Sequence, residues 1–372
     1  MGGIQNRALH RAAVLLLAAL GLTLACTTER GIQPEPEQYR LYVGMEGDGD
    51  LVFAVDVAND SVVDSTAPRI FTASIPLATP DGKYVLVQRV SEPSEVFNAA
   101  DLSLITELPG GAYYITLALE EDLILGVRDS CISYVSYPDF GLVRTDTVRI
   151  EGNPLLLDPL EVDIQRGLLY AFVIIRPQLY EYRFELLAWD YRNHEVHERW
   201  DFADAFPERA ISISSFTLSP DRSRVYVFAG SRDGAVLFCY ALAERQLIWE
   251  TSVLTAFGYL RFTPDGKELW RTDRGLVEWP IISGYIFTHD PVSGAVTDSI
   301  SMFGYAHNPS KPLPGREIVF APDGRKAYVA ASDITYSTGP VFVIDARKHE
   351  ITDLLFDDFQ HLPYWLSIGP AP

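Results

Sequence analysis

A Pro-Asp turn recurs along this chain, and each copy lies between two stretches of alternating apolar residues. The copies are Thr79-Pro80-Asp81-Gly82, Ser219-Pro220-Asp221-Arg222, Thr263-Pro264-Asp265-Gly266 and Ala321-Pro322-Asp323-Gly324. Proline presets φ at the first turn position, aspartate caps the turn, and glycine adopts positive φ. Each copy therefore predicts a tight turn between two antiparallel β-strands.

The turns define a repeat that runs through most of the chain. Two degenerate copies, at Leu119 and Ile164, align by their flanking strands. The series begins at Pro36 and ends at Pro370. The resulting turn positions are 36, 80, 119, 164, 220, 264, 322 and 370. They delimit seven units of about 48 residues, the length typical of a four-stranded propeller blade.

Apolar residues recur at fixed distances from each turn. Residues four and two positions before it are mostly large and apolar, which is typical of a half-buried strand. Six positions after it every unit has a large apolar or aromatic residue, namely Tyr42, Leu86, Leu125, Tyr170, Tyr226, Trp270 and Tyr328. A strand covered on both faces by neighbouring sheets should show such residues.

A second hairpin repeats later in the unit. Aspartates end a strand at positions 56, 190, 290 and 345, and an aliphatic residue follows each six positions later. This spacing predicts the connection between the third and the outermost strand. By this register His194 and His349 occupy equivalent turn positions.

The segments Ala327-Tyr328-Val329-Ala330 and Phe342-Val343-Ile344-Asp345, with the Pro-Asp turns, resemble the YVTN-type repeats of bacterial surface and periplasmic proteins. The resemblance covers residues 39–370. It implies an all-β fold, a seven-bladed β-propeller of four-stranded antiparallel blades, and it leaves function open because this fold has many activities. Six or eight blades remain alternatives if the units at Leu119 and Ile164 are misassigned.

The end of the chain should close the ring. Residues 364–369 have the pattern of an innermost strand, but the second strand that should follow it is missing. The unit that begins at Tyr39 has the opposite defect, because it lacks an innermost strand. Pairing the two removes both open sheet edges. The alternative is a C-terminal tail outside the ring.

The N-terminus has the pattern of an export signal. Arg7 and Arg11 precede an uncharged run at 12–25, which is too short to span a bilayer. The run ends in Ala25-Cys26 and resembles a bacterial lipobox, although Thr23 and Leu24 depart from the usual residues. The resemblance implies a signal peptide at 1–25, an acylated Cys26, a flexible tether over 26–38 and the propeller at 39–370. Thr27 after the cysteine implies the outer membrane or cell surface; a periplasmic or secreted protein and a retained anchor are alternatives.

The charge excludes some partners. The chain has a formal charge of −20, and loss of Arg7 and Arg11 with the signal peptide makes it −22. Such a surface repels phosphate backbones and anionic lipid headgroups. We therefore expect no nucleic-acid partner and no electrostatic binding to anionic lipid; the membrane is expected as a partner through the lipidated Cys26.

Few residues suggest chemistry. Cys131 and Cys239 fall in blades 3 and 5, too far apart for a disulfide, so both are expected to be unpaired. His194 and His197 are three apart on a hairpin and point to different faces, and residues 46–50 read as an Asp/Gly turn more than a calcium loop. The sequence has no nucleophile elbow, phosphate loop or Cys-x-x-Cys, so no metal or cofactor is predicted.

The candidate binding site lies on loops at one end of the channel. These loops join the second strand to the third and the fourth strand to the next blade, and several are long or aromatic. The candidate binding residues are Tyr113, Tyr114, Arg176, Tyr180, Tyr182, Trp279, Tyr305, His307, Tyr336 and His361. Rigid aromatics with Arg and His suit recognition of a protein loop or a glycan. Alternatively, these rings plug the channel or pack on neighbouring loops.

Three functions are compatible with this pattern. The first is a monomeric, non-enzymatic binding or scaffold module for a protein or glycan partner. The second is a lactonase-like or quinone-linked dehydrogenase-like enzyme at the channel mouth, with His307, His361 and Asp333 as candidates. The third is a purely structural envelope protein.

Overall fold

The computed structural model describes residues 38–45, 51–66, 74–89, 93–111, 114–151, 154–178, 181–202, 212–231, 234–253, 258–273, 284–305, 313–332, 338–357 and 362–372. The predicted signal peptide, the acylated Cys26 and all of the predicted tether except Gln38 lie outside these residues. Within them no helix is both long and apolar enough to cross a membrane.

The described residues form 28 strands and one 3-10 turn at Leu119–Glu121. The strands are β1 Tyr39–Met45, β2 Val52–Asp56, β3 Ser61–Ser65, β4 Ser74–Ala78, β5 Tyr84–Arg89, β6 Glu95–Asn98, β7 Leu104–Glu107, β8 Tyr114–Ala118, β9 Leu123–Arg128, β10 Cys131–Ser136, β11 Leu142–Thr147, β12 Leu155–Asp163, β13 Leu168–Gln178, β14 Glu181–Asp190, β15 Glu195–Asp201, β16 Ser212–Leu218, β17 Arg224–Ser231, β18 Gly234–Ala241, β19 Gln246–Val253, β20 Leu260–Phe262, β21 Leu269–Thr272, β22 Tyr285–His289, β23 Val296–Ser301, β24 Gly315–Phe320, β25 Lys326–Ala331, β26 Val341–Asp345, β27 Glu350–Leu355 and β28 Pro363–Pro370.

These strands make seven four-stranded antiparallel sheets, which confirms the predicted propeller. Blade 1 has the order β28-β1-β2-β3 from the channel outward, and β4 to β27 form blades 2 to 7 in chain order. The two degenerate repeats are genuine blades: the 3-10 turn at Leu119 joins β8 to β9, and the turn at Ile164 joins β12 to β13. The alternatives of six and eight blades are wrong.

The last strand closes the ring as predicted. β28 pairs antiparallel with β1, with Leu41 opposite Ile368 and Tyr42 opposite Ser367. The end of the chain thereby supplies the innermost strand of the blade that the beginning of the domain leaves incomplete, so neither end of the ring has an unpaired face.

The core lies between the blades. All seven residues predicted to be covered on both faces are buried, from Tyr42 to Tyr328, with at most 2% exposure. Aromatic rings connect successive blades; Phe172 of blade 4, for example, meets Phe216 of blade 5 edge to face at 4.5 Å. Interlocked sheets of this kind make each blade depend on its neighbours.

The predicted outer hairpin has a common geometry. One residue in each connection from the third to the fourth strand adopts positive φ; these residues are Asp60, Leu102, Phe140, His194, Arg245, Gly294 and His349. His194 and His349 are thus equivalent, as predicted. In every blade the outer pair also shifts register by one residue. Such a bulge increases the twist of the outer strand.

The inner strands bond to neighbouring blades. A side chain of one blade makes a hydrogen bond to a backbone group at or beside the inner strand of the next at six junctions: Ser367 to Ala78, Gln88 to Ile115, Glu161 to Leu218, Ser214 to Gly258, Thr272 to Arg316 and Glu317 to Leu366. At the junction of blades 3 and 4 the Leu156 N–H donates to the Asp129 carbonyl at 2.8 Å. These bonds satisfy polar groups that an edge strand would otherwise leave unpaired.

Both described cysteines are free. Cys131 is partly exposed in blade 3, and Cys239 is buried in blade 5. Burial raises the pKa of the Cys239 thiol to about 11. That thiol is therefore protonated at neutral pH and is a packing residue.

Candidate functional site

The two ends of the channel differ. The turn face carries the connections from the first to the second strand and from the third to the fourth strand of each blade. The loop face carries the connections from the second to the third strand and from the fourth strand to the next blade. Because the strands of each blade are antiparallel, every connection belongs to one of these two faces.

The aspartates of the turn face serve the turns. Asp81 accepts hydrogen bonds from the Thr79 hydroxyl at 2.7 Å and from the Lys83 N–H at 3.1 Å. Asp265 makes the same contacts with Thr263 and Lys267. Hydrogen bonds from the side chains of Lys267 and Thr263 lower the pKa of Asp265 to about 2. An ionised, locally bonded carboxylate is a turn former, as the sequence predicts, and is poorly suited to proton transfer at neutral pH.

A cleft of about 530 Å³ opens on the turn face between blades 6 and 7. Its central side chain is His349, whose Nδ1 lies 2.8 Å from Asp298 and whose Nε2 lies 3.1 Å from Glu268. The hydrogen bond with His349 lowers the pKa of Asp298, and Glu268 also accepts from the Trp270 indole. Both ring nitrogens are thus engaged in joining the two blades. The cleft was not predicted, and its chemistry is structural.

The loop face is more varied along the chain. Its longest second-to-third-strand connections are 273–284 and 332–340, and its longest connection between blades is 302–314; all three belong to blades 6 and 7. By contrast, the second-to-third-strand connections of blades 3 to 5 have only two residues each, at 129–130, 179–180 and 232–233. Long connections on a rigid scaffold are where binding sites concentrate.

A buried ion pair lies at the loop-face end of β21. Arg271 and Asp273 are 3% and 0% exposed, and Nη1 lies 2.8 Å from the carboxylate. The guanidinium lies over the rings of Phe228 and Phe287, at 5.4 and 4.7 Å from their centroids. Burial lowers the pKa of Arg271, and Asp273 opposes that shift. Buried ion pairs add little stability, so this one favours a functional role for this end of the channel.

A second buried arginine joins blade 7 to the closing strand. Arg316 donates from Nε to the Ser332 hydroxyl at 2.5 Å, and its guanidinium lies 3.5 Å from the centroid of the Tyr364 ring. Its carbonyl accepts from the Thr272 hydroxyl at 2.7 Å. The same hydroxyl accepts the N–H of Tyr259 at 3.0 Å.

Two aromatic residues, Trp365 and Tyr259, connect the closing strand β28 back to blade 6. Trp365 follows Tyr364 on β28, and its ring meets Tyr259 edge to face at 5.7 Å. Tyr259 belongs to blade 6 and Trp365 to blade 1, so this contact reaches past blade 7. We call Tyr259, Thr272, Arg316, Tyr364 and Trp365 the mouth cluster. Buried Trp365 Nε1 has no hydrogen-bond partner among the described residues, so it is a donor that a ligand could use.

Exposed aromatic residues adjoin this end of blade 6. Tyr285 and Phe303 are 37% and 40% exposed, and their ring centroids are 5.4 Å apart. Tyr285 also lies 5.9 Å from Phe287, the ring beneath Arg271. A path of aromatic rings therefore connects the surface to the buried arginine.

The sequence-predicted residues are only partly described. Tyr114 lies in β8, and Tyr305 packs edge to face on Phe342 at 5.3 Å. Arg176 and Tyr182 lie in β13 and β14, but their side chains are outside the described part. Also outside it are Tyr113, Tyr180, Trp279, His307, Tyr336, His361, the alternative Asp333 and the turn at 46–50.

The sequence predicted neither the mouth cluster nor the buried Arg271. Arg271 and Arg316 lie within strands, whereas the predicted binding residues were chosen from loops. One signal was present: Thr272 follows the buried Trp270 by two positions, where an apolar residue would continue the covered face of the strand. No group of three or more potential metal ligands occurs among the described residues.

Comparisons with known proteins show the fold alone. No protein-family model and no curated protein sequence matches the chain. Among solved structures it is similar to dihydro-heme d1 dehydrogenase NirN in complex with DHE, with a TM-score of 0.60 and 15% identity over 88% of this chain and 74% of that one. An identity this low supports the propeller architecture, and that fold accommodates many activities.

Proposed function

We propose that this chain is a lipid-anchored β-propeller outside the cytoplasm that holds a protein or glycan partner on its loop face. The fold is that of a propeller, and the repeats resemble the YVTN type. Thr27 favours the outer membrane or cell surface over the periplasm. The anchor is the acylated Cys26, and the protein acts as a monomer without a cofactor.

One observation supports the binding site: the mouth cluster joins blades 6, 7 and 1 at the end of blades 6 and 7 where the strands bounding the longest connections end. Arginine, tyrosine and tryptophan are the residues most often found at the centre of protein interfaces. Tyr285 and Phe303 are exposed at the same end of blade 6, where their rings lead through Phe287 to Arg271. These side chains can bind a partner as they stand, without a cofactor, a metal or a catalytic residue.

Photocrosslinking from two positions of blade 6 tests the proposal. A photoreactive residue replaces Phe303 on the loop face or Val292 on the turn face; both are exposed, at 40% and 70%. In native membranes we expect a discrete adduct from position 303 and none from 292. Protease and glycosidase treatment of the adduct distinguishes a protein from a glycan. Identical patterns from both positions would refute the assignment of the loop face.

An enzyme at the channel mouth is the second candidate. It is motivated by the similar propeller whose name describes a dehydrogenase, and by His307, His361 and Asp333 in the sequence. A lactonase or quinone-linked dehydrogenase activity that His307→Asn abolishes, and Val292→Asn leaves unchanged, would favour the enzyme over the binding module.

A further inference from the structure

The outer strands of three consecutive blades begin with an exposed pair of aliphatic residues. The pairs are Val62-Val63 on β3, Leu104-Ile105 on β7 and Leu142-Val143 on β11, and each residue is 47–62% exposed. All six occupy the second and third positions after the positive-φ residue of the outer hairpin. They therefore lie at the turn-face end of blades 1 to 3, and we call them the apolar rim.

No other blade has an exposed aliphatic pair at these two described positions, although Val296 of blade 6 is 55% exposed at the second one. At the third position blades 4, 6 and 7 have His197, Thr297 and Thr352. Blade 5 has Ile248, which is 43% exposed but is flanked by the polar positions of blades 4 and 6. Single exposed aliphatic residues are ordinary, whereas pairs at one register in three adjacent blades form an extended feature.

The first strand of the propeller begins beside this rim. The carbonyl of Tyr39 accepts the N–H of Val57 at 3.1 Å, in the hairpin that leads into Val62. The Arg40 guanidinium donates to the carbonyl of Ala99 at 2.6 Å, in the hairpin that leads into Leu104. The first two residues of β1 thus touch the hairpins of both blade 1 and blade 2.

We propose that the apolar rim rests on the membrane to which Cys26 is anchored. This inference depends on the proposed lipid anchor. Residues 27–38 extend to at most about 40 Å, so the rim cannot move far from the bilayer surface. Tethering makes docking intramolecular, and weak apolar contacts then suffice to orient the domain.

The surface that the rim fits is zwitterionic. Asp64 and Glu107 lie on the same outer strands, and Asp101 lies in the hairpin before β7. The nearby cations have partners of their own: Arg144 pairs with Asp146 at 2.5 Å, Lys83 with Asp81 at 3.3 Å, and Arg40 donates to the Ala99 carbonyl. Aliphatic side chains among acids favour phosphatidylcholine or phosphatidylethanolamine and disfavour anionic headgroups.

Docking on this rim would orient the binding site. The rim lies at the turn-face end of its strands, so the loop face points away from the bilayer. The mouth cluster then faces the aqueous side, where a soluble or surface partner can approach. The proposed anchor and the proposed binding face are in this way compatible.

Two fluorophore positions test the docking. In the full-length, Cys131→Ser chain, an environment-sensitive fluorophore is attached after Ile105→Cys on the rim or after Ile248→Cys on blade 5. The two sites match in residue type and exposure. On phosphatidylcholine vesicles we expect a blue shift and quenching by brominated lipid at position 105 only. Replacing a third of the lipid with phosphatidylglycerol should reduce that quenching.

The outcomes separate the two proposals. Intact-mass analysis of the same sample reports whether Cys26 carries lipid. A lipidated chain with equal signals at 105 and 248 overturns the docking and leaves the anchor standing. A chain without lipid at Cys26 overturns the anchor, and the docking with it. Stronger quenching on anionic vesicles would mean electrostatic attachment and would also overturn the apolar rim.

Discussion

The carboxylate of Glu317 accepts the backbone N–H of Leu366 at 2.8 Å, while its other oxygen lies 3.2 Å from the guanidinium of Arg261. These three residues belong to the innermost strands of blades 7, 1 and 6. The side chain of Glu317 is 9% exposed. One buried carboxylate therefore connects the strand that closes the ring to the two blades before it.

Replacing Glu317 should weaken this closure. Glu317→Ala leaves the buried N–H of Leu366 without its acceptor and the partly exposed Arg261 guanidinium without its partner, and we expect a loss of about 2 kcal/mol in the free energy of unfolding. Glu317→Gln keeps an acceptor for Leu366 and should lose less. Urea denaturation at pH 7 measures both. Equal losses for the two variants would show that the hydrogen bond to Leu366 contributes nothing.

Removing the closing strand should be far more severe. A chain that ends at Leu362 lacks β28, and β1 then exposes an entire strand edge and the interface that Leu366 fills. We expect it to lose cooperative thermal unfolding, because every blade depends on its neighbours. Removing only Ala371 and Pro372, which follow β28, is the control and should leave the transition unchanged. A cooperative transition in the shorter chain would show that the ring does not need closure.

Local chemistry made the blades predictable. Pro-Asp-Gly turns depend on residues adjacent in sequence, and the covered position six residues later follows from strand alternation. Even the turn at Ile164, which lacks proline, was found because its flanking strands keep their pattern; Asp163 accepts the N–H of Arg166, and Gly167 provides the positive φ of 72°.

The contacts between blades were less predictable. Glu317 and Leu366 are 49 positions apart, which is about one repeat, but nothing in the repeat marks which side chain bonds to which backbone group. The positive-φ position of the outer hairpin holds residues as different as Asp60, Phe140 and His349, so composition does not reveal it. The mouth cluster was missed for the same reason: Arg316 and Tyr364 come together only when the ring closes.

Two equivalent tyrosines should respond differently to loss of their hydroxyl groups. Tyr328 donates to Asp60 at 2.7 Å across the junction of blades 7 and 1, and its side chain is buried. The hydroxyl of Tyr42, at the same register in blade 1, is buried and makes no hydrogen bond to any residue that the structure describes. We expect Tyr328→Phe to lower the free energy of unfolding by about 2 kcal/mol, since the acceptor is charged. Tyr42→Phe should be neutral or slightly stabilising. The reverse order in denaturant titrations would contradict both assignments.

Acid stability should depend on His289. This residue is fully buried, and desolvation is the main cause that lowers its pKa from the usual 6.5 to about 4. Its Nδ1 lies 3.0 Å from the Gly294 carbonyl, while Nε2 is buried and finds no acceptor for a second proton in the described part of the chain. Between pH 6.5 and 4 the unfolded chain binds a proton at this ring and the folded chain does not. The free energy of unfolding should therefore fall as the pH drops through this window, by up to about 3 kcal/mol from this group.

Denaturant titrations at pH 7 and pH 4 test this. In His289→Gln the difference in the free energy of unfolding between the two pH values should be smaller than in the wild type, whereas exposed His197→Gln should keep the wild-type difference. An unchanged difference in His289→Gln would mean that the folded protein accommodates the imidazolium.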